Sequence, residues 1–211
     1  MNKYLMTMMF AIAIASSAFA QTKKITSSDF YKANIEASDL MEDYGRRIII
    51  KTETIENGIV ITSVTKIEER LLPDKLRFFT VEKKGGAETS SELIVIGTKE
   101  YRRENNGQWT IKNAGGSGSG SGIGSGSACI QYTEESDFVN GATARKLKQL
   151  MINDTAEGLS YDEFTYWYDL QGLILRSERL KGLLDPKIER IRSVGTFDYD
   201  PKDLKIEAPI K

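Results

Sequence analysis

The feature that most constrains this chain is a series of two-residue turn signals set between runs of β-branched residues. Asn57-Gly58 and Asn140-Gly141 each stand between two such runs, and this dipeptide favours the turn whose twist matches a β-hairpin. Pro73-Asp74, Gly85-Gly86, Asn105-Asn106-Gly107 and Gln171-Gly172 punctuate the rest of the chain in the same manner. Turns this short cannot join parallel strands, so the sequence predicts an antiparallel meander. The intervening runs place strands at 47–56, 59–71, 75–84, 88–98, 100–103 and 108–112, then at 130–139, 142–152, 160–170, 173–180 and 188–199. Pro201 ends the last of these, and 204–208 is expected to add a short edge.

One segment has a different period. In 27–44, Phe30, Ala33, Ala37, Leu40 and Tyr44 recur at steps of three and four, the stripe of an amphipathic helix. Ser27 or Ser28 can cap it, Asp29 suits the positive end of its dipole, and Gly45 can stop it. Sheets of about ten strands usually curl or close. The expected fold class is therefore α+β: a large, strongly curved antiparallel sheet, or half-open β-barrel, with an N-terminal helix and a helical lid over the concave face.

Residues 115–127 read GGSGSGSGIGSGS. This composition cannot bury apolar surface and predicts a flexible segment. It is either a link between two domains or a long loop inside one sheet. The loop is favoured, because neither flank has helices enough to cover a sheet of its own.

The first residues carry a separate message. Lys3 precedes an uncharged apolar run over 5–15, and Ala18-Phe19-Ala20 fits the small-x-small rule for cleavage before Gln21. A membrane anchor would need about 20 apolar residues. The chain is expected to be periplasmic or secreted: a signal peptide over 1–20, one domain over 21–211, and no transmembrane segment after cleavage. Gln21 stands where a lipidated chain would carry cysteine. The single cysteine, Cys129, excludes an intrachain disulfide; it could pair between chains or serve as a small buried hydrophobe.

Several function classes lose support at this level. The chain has 29 basic and 30 acidic residues; without Lys3 the balance is 28 − 30 = −2. Neither nucleic acid nor an anionic membrane is an implied partner. There is no histidine, which removes His-based triads, His metal ligands and the usual base near neutral pH. The acid pairs Glu134/Glu135 and Asp162/Glu163 are neighbours on strands, so their side chains point to opposite faces and read as solvated charge. Lys83-Lys84 and Arg102-Arg103 border turns and read as edge protection. Asn153-Asp154-Thr155 matches a glycosylation acceptor in form only. The glycine-rich run lacks the Lys-Ser/Thr of a phosphate loop. No catalytic residue, metal site or cofactor is expected, and the chain is not expected to be an enzyme.

The aromatic face of Phe164, Tyr166 and Tyr168 has two readings: ordinary core, or the wall of an apolar ligand cavity such as large curved sheets enclose. Phe79, Val81, Ile94, Ile96, Leu173 and Leu175 could join that wall. Periodicity does not separate the two.

At this point the pattern resembles the LolA/LolB-like superfamily of periplasmic lipoprotein carriers. The likeness lies in the export signal, the helix and the meander after it, and in Asn106-Gly107-Gln108-Trp109. It lies also in the run from Tyr166-Trp167-Tyr168-Asp169-Leu170 through Gln171-Gly172-Leu173-Ile174-Leu175 to Arg176-Ser177-Glu178, and in the close from Tyr199-Asp200-Pro201 to Ile206-Glu207-Ala208-Pro209. It covers nearly the whole mature chain. The resemblance implies a half-open barrel lined by apolar side chains and lidded by helices. It implies a lipid or lipoprotein acyl chain as ligand, with a membrane protein as donor or acceptor. The alternative is an interaction module or envelope sensor that keeps the fold and binds a protein. Two departures stand out: the 115–127 segment where lid structure could lie, and the missing lipobox, which favours a soluble form.

Overall fold

The computed structural model describes residues 22–113, 128–184 and 187–210. The export signal and the Gly/Ser segment lie outside the described residues. The elements run β1 Lys23–Lys24, α1 Ser27–Met41, β2 Arg46–Glu56, β3 Ile59–Leu71, β4 Lys75–Lys84, β5 Ala87–Ile96, β6 Lys99–Glu104, β7 Thr110–Asn113, β8 Ala128–Val139, β9 Ala142–Thr155, β10 Gly158–Tyr168, β11 Ile174–Leu184 and β12 Lys187–Tyr199. All twelve strands form one sheet in the order β1-β8-β9-β10-β11-β12-β2-β3-β4-β5-β6-β7. Two meanders, β2–β7 and β8–β12, join where the last strand pairs with the first long one, from Tyr199↔Arg46 to Ile191↔Thr54. Strands β1 and β7 form the two edges, and the sheet does not close.

Turn chemistry explains the hairpins. Asn57 and Gly58 have φ of 51° and 77°, and Asn140 and Gly141 have 53° and 82°. Positive φ at both central positions is what a type I′ turn demands. Each of the eleven runs placed as strands is one, and the two-residue β1 is an addition to them. The expected edge at 204–208 is not a strand: Leu204 and Ile206 are instead buried under the sheet.

Helix α1 ends earlier than the stripe suggested, at Met41, and its cap is Thr26 rather than Ser27 or Ser28. Thr26 Oγ1 accepts from the Asp29 amide at 3.1 Å, and Asp29 Oδ2 accepts from the Thr26 amide at 3.2 Å. This capping box outcompetes the serines because it satisfies two free amides at once.

The sheet is covered on opposite faces at its two ends. Helix α1 lies over β8–β12 and β2. Phe30, Ala33, Ala37 and Met41 pack there on Leu147, Tyr168, Ile174 and Ile48, with Tyr132, Tyr166, Phe197 and Tyr199 around them. The tail after β12 crosses to the other face, where Leu204 and Ile206 pack on Ile94 and Tyr101 with Leu71, Ile96 and Trp109 beside them. Asp200 makes the crossing: its amide donates to the Gly45 carbonyl at 2.7 Å, and its carboxylate accepts from the Gly45 amide at 3.1 Å.

Candidate functional site

Register sorts the nine residues expected to line one cavity. Tyr166 and Tyr168 face α1, and with Leu173 they belong to the packed core beneath it. Phe164 shares their face, and the Arg179 guanidinium lies 4.7 Å from its ring centroid. Ile94 and Ile96 sit on the opposite face under the C-terminal tail. Phe79 and Val81 stand two and four residues after Arg77, which pairs with Ile94 across the ladder, so they lie on that same opposite face. Leu175 is the extra residue of a bulge: Tyr168 pairs with Ile174 and Trp167 with Arg176. The nine therefore do not share one wall. A slip of one residue moves a whole strand's set to the other face.

The same register shows which residues of β4 and β5 do face the helix side. Leu76 pairs with Val95, and Phe78 with Leu93. Among the described residues neither α1 nor the tail packs on these four, and Phe78 is 36% exposed. Charged residues frame the patch in register: Glu68 and Arg70 on β3, Glu100 and Arg102 on β6. Their pairings tie the frame down. Arg46 donates to Glu68 at 3.1 Å and to the Met41 carbonyl at 2.8 Å, and Arg70 pairs with Glu42 just beyond α1. Sequence could not single out this patch, because 76–79 and 93–96 are apolar on both faces except at Arg77.

A concavity lies at the end of α1. It is a groove of about 590 Å³ between the last turns of the helix, Arg145, and the tight turn from Asp169 to Gly172. The turn is rigid. The Asp169 carboxylate accepts from the Gln171 and Leu173 amides at 2.8 and 2.9 Å, and the Asp169 amide donates to the Leu173 carbonyl at 2.9 Å. Gly172 has φ of +96°, and a β-carbon there would stand 3.4 Å from Leu40. The result holds Leu170 out at 88% exposure.

The opposite face carries two charge lattices. Arg47, Glu69, Arg77, Glu92 and Arg103 form a ladder across β2 to β6, with contacts of 2.7, 3.1, 2.7 and 2.8 Å. Glu69 and Glu92 are each only 4% exposed, so Arg103 is a structural partner and not edge protection. On β8–β11, Trp167 donates to Asp137 at 2.9 Å between the cations of Lys146 and Arg176. The two acid pairs separate to opposite faces as expected, with Asp162 bound to Arg179 on the helix side and Glu163 meeting Lys148 on the other, but Asp162 is buried rather than solvated. Glu134 binds Arg145, and Glu135 meets Lys146. Among the described residues no group of three or more acids or cysteines is arranged to hold a metal ion, and no helix is long and apolar enough to cross a membrane.

No family model matches the chain, and no curated protein matches its sequence. Among solved structures it is similar to a candidate outer membrane lipoprotein-sorting protein domain from Vibrio parahaemolyticus. The two share 12% identity over 82% of this chain and 93% of that one, with a TM-score of 0.28. At so low a TM-score the likeness says nothing of function, and the weight falls on this chain's own register and packing.

Proposed function

We propose that the protein is an exported, non-enzymatic binding protein that holds one long acyl chain, of a lipid or a lipoprotein, on the helix-side face of its sheet, with α1 as the lid. The observation that carries this reading is the patch of exposed Phe78 with half-buried Leu76, Leu93 and Val95, on the same face as the aromatic bed of α1. With α1 down, the bed is filled: Ala37 and Leu147 have no exposed surface. With α1 lifted, the apolar bed would open on the same face as the patch, with the paired charges of Glu68 and Arg70 on β3 between the two. Each methylene moved out of water contributes about 0.8 kcal/mol, which is enough for a long chain to compete with the helix.

Connectivity supports a curled sheet. β8 stands second and β7 twelfth in the order, so ten spacings (12 − 2) separate them. Across a flat sheet that is roughly 48 Å. The fourteen residues 114–127 (127 − 113 = 14) join Asn113 to Ala128. A chain of that length reaches only about 50 Å at full stretch, which leaves a flat sheet no slack. Curling the sheet into a half-open barrel brings the two strands within easy reach and makes the helix-side face a candidate concave surface.

The test is titration of delipidated protein with a fluorescent fatty acid, alongside mass spectrometry of gently purified material for a bound lipid. Saturable binding, weakened at least tenfold by Phe78→Asp, is the expected result. No co-purifying lipid and no saturable binding would overturn the reading.

A further inference from the structure

We infer that the groove between the end of α1 and the Asp169–Gly172 turn is a docking site for a basic, apolar-tipped segment of a partner protein. The groove is walled by apolar surface, with Leu40 on the helix and Leu170 on the turn. Leu170 is the most exposed of the large apolar residues described, at 88%. It is held there by a turn with four internal hydrogen bonds, two to the Asp169 carboxylate and two between backbone groups. A side chain fixed in water in this way meets a partner at little further entropic cost.

Charge selects the occupant. The rim carries Glu36, Asp39, Asp43 and Asp169 against one base, Arg145. Arg145 is already taken by both oxygens of Glu134, at 2.8 and 3.3 Å. Asp169 is consumed by its own turn, and Glu36 pairs with Lys32 at 3.7 Å. No hydrogen bond or ion pair reaches the side chains of Asp39 and Asp43 among the described residues. Asp39 stands in the last turn of α1 and Asp43 two residues past its end, both at the negative end of the helix dipole, and that last turn holds no basic residue. Negative charge is disfavoured there. The arrangement works against the helix in the free protein and becomes favourable when a cation sits between them. Local conflicts of this kind mark binding surfaces.

The groove is separate from the patch of Leu76 and Phe78, so this inference stands or falls apart from the acyl-chain reading. The probe is a blocked hexapeptide of four lysines around a central leucine-phenylalanine pair. Its control has the lysines replaced by glutamates. Binding to the full chain is followed by fluorescence anisotropy and by amide shifts in NMR spectra. The lysine peptide should bind and shift the amides of Leu40, Leu170 and Gly172, with affinity falling as salt rises. The double substitution Asp39→Asn with Asp43→Asn should weaken binding about tenfold while raising Tm, because it also removes two negative charges from the negative end of the helix dipole. Leu170→Ser should weaken binding without moving Tm. Equal binding of the two peptides, shifts mapping elsewhere, or an unchanged affinity in the double variant would overturn the inference. So would the same shifts on adding calcium alone, which would make the groove a cation site.

Discussion

At the scale of single residues, the charges of this protein divide by burial. Glu92 lies between Arg77 and Arg103, at 2.7 and 2.8 Å, and is 4% exposed. Lys83 and Glu88 make a pair of similar length, 2.9 Å, with both side chains more than half exposed. A buried carboxylate that loses its charge leaves two guanidiniums facing each other in a poor solvent, whereas the exposed pair exchanges one partner for water. Glu92→Gln should therefore cost about 2 kcal/mol, discounted from the fully buried case because its arginine partners are partly exposed. Lys83→Ala should cost less than about 0.5 kcal/mol. Urea midpoints of the two variants decide it; equal shifts would show that the ladder is ordinary surface charge. None of this ladder was legible in the sequence. Arg47, Glu69, Arg77, Glu92 and Arg103 come from five strands, and only the register between strands brings them into line.

At the scale of elements, what the sequence made legible was whatever is decided locally. The Asn-Gly turns, the bounds of β3 and β4, and the helix all follow from chemistry within a few residues, as does the apolar stripe at Phe30, Ala33 and Ala37. Which face of β4 or β5 meets the helix was not legible. Leu76, Phe78, Phe79, Leu93, Ile94, Val95 and Ile96 make both faces apolar, and the tail that covers one of them comes from more than a hundred residues away. The tail misled in the same way: 204–208 alternates like a strand, yet Ile206 is buried as a plug on the sheet. The helix cap was nearly legible. Asp29 suits the helix dipole, and its side chain also accepts from the Thr26 amide while its own amide donates to Thr26 Oγ1. Thr26→Ala should lower stability by about 1 kcal/mol. It should also speed amide exchange in the first turns of α1 more than at Leu147 or Tyr166. Uniform exchange across helix and sheet would mean that α1 opens only with the whole fold, and would count against a separately moving lid.

At the scale of the whole molecule, the chain's unusual composition shapes its response to pH. It has no histidine and nine tyrosines, so the core lacks the group that normally titrates between pH 5 and 8. The perturbed groups lie at the two extremes. Hydrogen bonds from Arg70 to Glu42, from Lys146 to Glu135 and from Trp167 to Asp137 hold these carboxyls below their ordinary values. A depressed carboxyl contributes stability that is present above the unfolded value, near 4, and lost as pH falls through the folded one. Burial raises the phenols of Tyr166, Tyr168 and Tyr199. Tyr199 is pushed up to about 12, by burial first and the Asp169 charge second. A raised phenol contributes stability that is complete below the unfolded value, near 10, and lost as pH rises through the folded one. These tyrosines line the bed of α1, so ionising them should unseat the helix. Denaturant stability should thus be level from about pH 5.5 to 9, fall below about pH 4, and collapse above about pH 11. In an ultraviolet titration, the late tyrosines should ionise together with loss of helical circular dichroism. All the tyrosines of the mature chain titrating together near pH 10, with the helix signal intact, would show that the aromatic bed is open to water and that α1 does not seal it.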